Sequence, residues 1–275
     1  VIAPFIISFI LPVPLASLPA VEICSETSAA FNRISANKIG NGNISDEEFI
    51  TDFKYRSIDE SHNDVAKYIL YKIATYYKQT FKHIIIDKTN LPFLSLINIA
   101  DDCHPALGKT LPDSAYYRWL IQNYIDDNKC LYLDTDVLVN QDITEFYNTD
   151  MSNYSICGSR GLVYPTEIVT GVLLMNLDYF RKHNVFDKLV QDTINKHNNN
   201  DRINDQYILN EVLNDSKLIM PDNYMLQALY LNLQFAKKLD IWKFIHYADF
   251  RKPWKCEMKW GEIWYKYNKI YKEII

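Results

Sequence analysis

The chain has 275 residues, 48% apolar and 23% charged, a balance suited to one full globular core and a small appendage. Its 29 Lys and Arg against 34 Asp and Glu give a formal charge of -5, the reverse of a protein that lives on polyphosphate backbones, so nucleic acid is excluded as a main partner. Cys24, Cys103, Cys130, Cys157 and Cys256 are scattered and form no Cys-x-x-Cys, which argues against a disulfide framework or zinc ribbon and for reduced thiols in the cytoplasm.

Residues 1–21 carry no charge. Pro4, Pro12, Pro14 and Pro19 would break a spanning helix, so a buried strand at 5–10 and a short helix at 15–24 are expected, with a targeting segment as the alternative. A Gly/Asn cluster at 37–43 marks a loop, and Ser45 with Glu48 three residues on opens a short helix. Val65, Ile69 and Ile73 recur at helical spacing, predicting a helix over 63–79. The run HIIID at 83–87 predicts a buried strand, and a helix is expected over 114–124.

Next comes KCLYLDTDVLVN, residues 129–140. Its apolar halves, 130–133 and 137–139, predict strands on either side of an acidic kink. TGVLLMNL at 170–177 predicts another buried strand, and helices are expected at 177–183, 185–196 and 204–214. Strands interleaved with helices argue for an α/β fold around a mostly parallel sheet. Ligands collect at the carboxyl ends of strands in such sheets, which is where Asp134-Thr135-Asp136 falls.

Two carboxylates one residue apart at the wet end of a buried strand can reach one hard cation, Mn²⁺ or Mg²⁺, from the same side. Such a cation neutralises a diphosphate. Solvated turn carboxylates are the plain alternative, but an exposed turn does not need LYL before it and VLV after it. More than a hundred residues later, HYADFRKPW offers His246 as an imidazole ligand and Lys252 as an ammonium for a phosphate.

LYLDTDVLV, TGVLLMNL, NDQYILN and HYADFRKPW, in that order and at these separations, resemble the retaining family-8 glycosyltransferases. These enzymes include bacterial lipopolysaccharide galactosyl- and glucosyltransferases and glycogenin. The resemblance covers about 111–254 and implies a GT-A fold: a mostly parallel central sheet flanked by helices, here with a C-terminal helical appendage. It implies a catalytic domain over 1–254 and a basic aromatic helix over 255–275. Asp134, Asp136 and His246 would bind Mn²⁺ (or Mg²⁺), and Asp134 would also lie near the donor ribose. Lys252 would contact the diphosphate and Arg118 the donor sugar. Asp205 would hydrogen-bond sugar hydroxyls, and Gln206 would lie beside the anomeric carbon.

The chain departs from the family pattern in three places. ISFILPVP at 7–14 has no acid or amide where a uridine-binding stretch usually ends the first strand. Val169 stands in place of a sugar-contacting Asn, leaving the adjacent Thr170 as the donor contact of that segment, and Asp249 replaces a glycine.

The implied function is transfer of a hexose, galactose or glucose, from a UDP-sugar to a saccharide or glycolipid acceptor of a bacterial surface glycan such as lipopolysaccharide. Gln206 is a poor nucleophile, and Asp205 is the nearest carboxylate for a double displacement. A front-face route, in which the leaving phosphate helps deprotonate the acceptor, fits better. A non-catalytic sugar-nucleotide or glycan-binding module is the alternative. A nucleotidyltransferase is disfavoured because no glycine precedes Gly40.

From 251 to 275 there are seven Lys and Arg and three Glu. Ile263, Trp264, Tyr267, Ile270, Tyr271 and Ile274 recur at helical spacing. This predicts a helix that docks on an anionic membrane surface, peripheral on the inner face, or else packs on the protein.

Overall fold

The structure, a computed structural model, describes residues 8–9, 92–95, 113–134, 136–161, 165–199, 201, 203–221, 224–227, 242–248, 253 and 261–274. The elements expected at 15–24, 63–79 and 83–87 lie outside these residues, as do Thr135, Asp249 and Lys252. The chain divides into two compact units, Val1–Ser17 with Ile84–Ala248, and Leu18–His83 with Asp249–Ile275.

Among the described residues the larger unit holds eight strands in two sheets. Strands β1 (Ser8–Phe9), β2 (Lys129–Leu133), β4 (Ile156–Ser159), β5 (Val172–Asn176) and β6 (Lys217–Met220) form a five-stranded sheet in the order β1-β2-β5-β4-β6. Strands β3 (Val137–Val139), β7 (Met225–Gln227) and β8 (Phe244–His246) form a three-stranded sheet in the order β3-β8-β7. The expected α/β class holds; a mostly parallel sheet is expected, and among the described strands the pairs of the larger sheet are mostly antiparallel. In the larger sheet β1/β2, β2/β5 and β4/β5 are antiparallel, and β4/β6 is parallel. A fully apolar run reports burial on both faces and is silent about direction.

Both faces are indeed buried, and the two-residue period of the strand divides them. Cys130 and Tyr132 of β2, with Leu173 and Met175 of β5, join one apolar cluster. Leu131 and Leu133, with Val172 and Leu174, join a second on the opposite face. The first cluster is completed by Trp119, Tyr116 and Phe93, whose rings stack or meet edge to face.

The segment expected to be helical over 114–124 is a 3-10 helix, Asp113–Asn123. Helices α1 (Thr144–Tyr147), α2 (Leu177–Lys182), α3 (Val185–Asn199) and α4 (Asp205–Val212) follow in order. Asn176 caps α2 by accepting from Tyr179 N at 3.0 Å, and Asn204 caps α4 by accepting from Tyr207 N at 2.6 Å. An amide at the N-cap satisfies a backbone donor left over by the first turn. Asn204 therefore sets where α4 begins, and with it the position of Asp205 and Gln206.

In the smaller unit the described elements are Pro253 and helix α5 (Gly261–Ile274). Trp264 is buried there at 6% exposure, while its neighbour Tyr265 is 43% exposed and donates a hydrogen bond from Oη to the Pro253 carbonyl at 2.9 Å. Glu262, Lys266 and Lys269 are exposed. Trp264 is thus not part of an outward aromatic face, contrary to the membrane-facing stripe expected for it. Helical spacing groups residues on one face but does not say whether that face meets protein or membrane. Among the described residues no helix is long and apolar enough to cross a membrane.

Candidate metal centre

Asp134 leaves the end of β2, and its backbone N–H donates to the Gly171 carbonyl at 2.8 Å, continuing the β2/β5 ladder one step past Leu133↔Val172. Two residues later the chain enters β3, which pairs with β8 so that Val137 lies opposite His246. Tyr247 N donates to the Asp136 carbonyl at 2.9 Å. These two pairings bring His246 to the acidic kink across 110 residues of sequence.

His246 Nε2 lies 3.1 Å from Asp136 Oδ1 and 3.7 Å from Asp134 Oδ2. One ligand atom from each of the three residues falls within 4.8 Å of the others. Two carboxylate oxygens and an imidazole nitrogen form a donor set suited to Mn²⁺. His246 is 5% exposed, so the imidazole is fixed by its surroundings. Gly171 is part of the reason. A Cβ there would come within 2.6 Å of His246 Nδ1 and 2.9 Å of Nε2, so the ring occupies the space that any other residue would fill.

Beside the three ligand-type residues lies a buried polar network. Arg118, 5% exposed, donates from Nε to the Ala115 carbonyl at 3.0 Å and from a terminal nitrogen to the Thr170 carbonyl. Its other terminal nitrogen is 3.3 Å from Asp134 Oδ1 and 3.3 Å from Asp205 Oδ2. The guanidinium also lies over the Tyr132 ring, 4.6 Å from its centroid. Burial alone would lower the Arg118 pKa, but Tyr132, Asp134, Asp205 and Asp136 outweigh it and raise the value, so the cation is held firmly. Burial raises the Asp205 carboxyl despite the attraction of Arg118. Burial likewise holds the Tyr132 hydroxyl well above the usual phenol range. Three carboxylates face one guanidinium here, a surplus of negative charge that suits a divalent cation.

Gln206 is held at both ends of its amide. Its Oε1 accepts from Thr170 N at 3.3 Å, and its Nε2 donates to Glu167 Oε2 at 3.3 Å. Thr170 Oγ1 is 3.5 Å from Asp205 Oδ2. Asn210, one turn further along α4, accepts from Ile168 N at 2.6 Å and donates to Ile168 O at 2.8 Å, like a partner strand. This pins the segment before β5 onto α4. Val169, where the family pattern has an amide, is buried in the second apolar cluster.

The structure thus gathers Asp134, Asp136 and His246 at one point and Arg118, Thr170, Asp205 and Gln206 beside it. Lys252 lies outside the described residues. Sequence reasoning missed Tyr132, Gly171, Glu167 and Asn210. A signal existed for Tyr132, which is two residues before Asp134 and so on the same face of the strand. For the other three, the contacts depend on pairings between distant segments.

The sequence model of glycosyl transferase family 8 matches residues 44–257. The chain is similar to the glycosyltransferase GlyA of Streptococcus pneumoniae serotype 4, 28% identical over 167 residues, which are 57% of this chain and 24% of that protein. It is also similar to GlyF of the same organism, 28% identical over 175 residues, 59% of this chain and 44% of the relative. The chain therefore spans less than half the length of these relatives. The crystal structure of apo GlyE from Streptococcus pneumoniae superposes with a TM-score of 0.52 at 25% identity, covering 60% of this chain and 45% of GlyE. The mixed α/β architecture is that of the GT-A glycosyltransferases.

Proposed function

Because this chain belongs to glycosyl transferase family 8, we propose that it transfers a hexose, galactose or glucose, with retention of configuration from a UDP-sugar to a saccharide acceptor of a bacterial surface glycan such as lipopolysaccharide. The observation that carries the reading is the convergence of Asp134, Asp136 and His246 on one point. These residues would hold Mn²⁺, or Mg²⁺ in its place. A divalent cation held there would supply Lewis-acid neutralisation of the donor diphosphate.

The remaining chemistry belongs to the chain's own side chains. Arg118, already neutralising Asp134 and Asp205, presents a buried cation beside the sugar position. Asp205 and Thr170 orient sugar hydroxyls. Gln206 would lie beside the anomeric carbon, its amide orientation set by Thr170 N and Glu167. An amide is a poor nucleophile, and Asp205 is engaged by Arg118, so a front-face displacement suits this arrangement better than a covalent intermediate. The protein's contribution is then mainly orientation and a preorganised electrostatic environment. Lys252 is assigned the diphosphate by its place in HYADFRKPW. The reaction belongs to the cytoplasmic side, where sugar nucleotides are supplied, with the acceptor a saccharide or glycolipid.

The test is turnover of a panel of UDP-sugars with Mn²⁺, with NMR assignment of the product anomer. Asp134→Asn and Asp136→Asn are expected to abolish both transfer and donor hydrolysis, and a chelator to do the same reversibly. Activity that survives the chelator overturns the metal-dependent reading. Asp205→Ala is expected to lower turnover by a factor on the order of 10² or more, while nucleoside-diphosphate binding by calorimetry persists. Equal loss of both would make Asp205 a structural residue. Binding of a UDP-sugar without turnover would favour a sugar-nucleotide-binding module, the reading suggested by the lack of an acid or amide in ISFILPVP.

A further inference from the structure

We infer that Tyr132 is a positioning residue for the metal centre: its hydroxyl holds one oxygen of Asp134 and thereby turns the other towards Asp136 and His246. The inference rests on the metal reading above. Tyr132 Oη donates to Asp134 Oδ1 at 2.5 Å, and Arg118 reaches the same oxygen at 3.3 Å. The opposite oxygen, Oδ2, is the one 3.7 Å from His246 Nε2. The two oxygens of one carboxylate are therefore divided between two tasks, with Oδ1 on the network side and Oδ2 on the cation side.

Among the described contacts, Tyr132 acts on Asp134 from the strand that leads into it. Asp134 continues the β2 ladder one residue past its end, two positions from Tyr132, so the hydroxyl and the carboxylate rise side by side. Tyr132 is itself 6% exposed and lies beneath the Arg118 guanidinium, so its ring has little freedom to swing away. A carboxylate at the end of a strand, half-exposed as Asp134 is, otherwise samples several rotamers and offers either oxygen. Hydrogen bonds to the non-ligating atom of a metal ligand fix its orientation, and their removal commonly lowers metal affinity about 10- to 100-fold. Tyr132 acts through Asp134, to which its hydroxyl is bonded. Arg118 shares the oxygen but is tied to Asp205 and to the donor site as well, which makes the tyrosine hydroxyl the cleaner probe.

The experiment measures Mn²⁺ binding directly, by calorimetry and by loss of the free-ion electron paramagnetic resonance signal, in the full chain and in Tyr132→Phe. The variant keeps the ring under Arg118 and removes only the donor. The expected result is Mn²⁺ affinity lower by about 10-fold or more, with metal-free melting within about 2 °C of the parent protein and transfer recovering within a few-fold at saturating Mn²⁺. A general structural defect would lower melting and would not be rescued by excess metal. Should Tyr132→Phe fail to fold, Tyr132→Met replaces it, because an unbranched thioether adapts to the space and equally lacks the hydroxyl. Affinity within twofold of the parent protein overturns the inference and leaves the metal reading intact. A parent protein that binds no Mn²⁺ overturns both.

Discussion

At the scale of single residues, the site depends on side chains too small or too ordinary to attract notice. Gly171 is the clearest case, since its missing side chain is the space in which the His246 ring sits. Gly171→Ala is expected to push the imidazole off Asp134 and Asp136, lowering Mn²⁺ affinity by about 10-fold or more and destabilising the fold by about 1–3 kcal/mol through overpacking. Calorimetric Mn²⁺ titration beside thermal melting checks both. Unchanged affinity would mean that the ring has room to retreat without leaving the ligand position. Tyr132 and Glu167 belong to the same class: each touches an assigned residue, Asp134 or Gln206, and fixes which of its atoms faces the centre.

At the scale of elements, the expected strands at 130–133 and 137–139 and the helices after β5 agree with the structure to within a few residues, because apolar runs and amide caps act locally. Helix α5 shows where that locality ends. Its apolar residues recur at helical spacing, yet Trp264 is buried while Lys266, Lys269 and Tyr265 face outward. Among its described side chains, any attraction of this helix to an anionic surface therefore rests on charge and the exposed Tyr265 ring. Each lysine near such a surface contributes about 1 kcal/mol. Lys266→Glu with Lys269→Glu is expected to reduce partition onto anionic vesicles by more than about tenfold, with turnover on a soluble acceptor within a few-fold. Unchanged partition in a sedimentation assay would remove the membrane role from α5. Deleting the helix is a poorer test, since losing a buried Trp costs about 3–5 kcal/mol by itself.

At the scale of the whole molecule, the larger unit is built on a sheet covered on both faces, and its thiols report on its cooperativity. Cys130 and Cys157 are free, buried one on each side of that sheet, and burial pushes both thiols up to about 12. At pH 8 neither should react with iodoacetamide in the native protein, and both should be labelled once denaturant unfolds this unit, as read by mass spectrometry of the labelled peptides. Labelling of either under native conditions would reveal local opening of β2 or β4. Their linkage to stability has a defined sign. The folded protein holds these protons more tightly than the unfolded chain, whose thiols titrate near 9. The stabilisation is fully present below that value and is lost as pH rises from 9 towards 12.

The sequence by itself determined the local facts: which runs are buried strands, where amide-capped helices begin, that two carboxylates stand at a strand end, and that ordered motifs resemble one enzyme family. Each of these follows from residues within a few positions of one another, where period, capping and composition act. Tertiary structure alone decided the direction of the strands, because burial on two faces is the same for parallel and antiparallel neighbours. It also decided which carboxylate oxygen faces the imidazole and which residue leaves room for the ring. Those outcomes depend on the β2/β5 and β3/β8 registers, which join Asp134 to Gly171 and Val137 to His246. Register is settled by packing between segments far apart in the chain, and no local pattern encodes it.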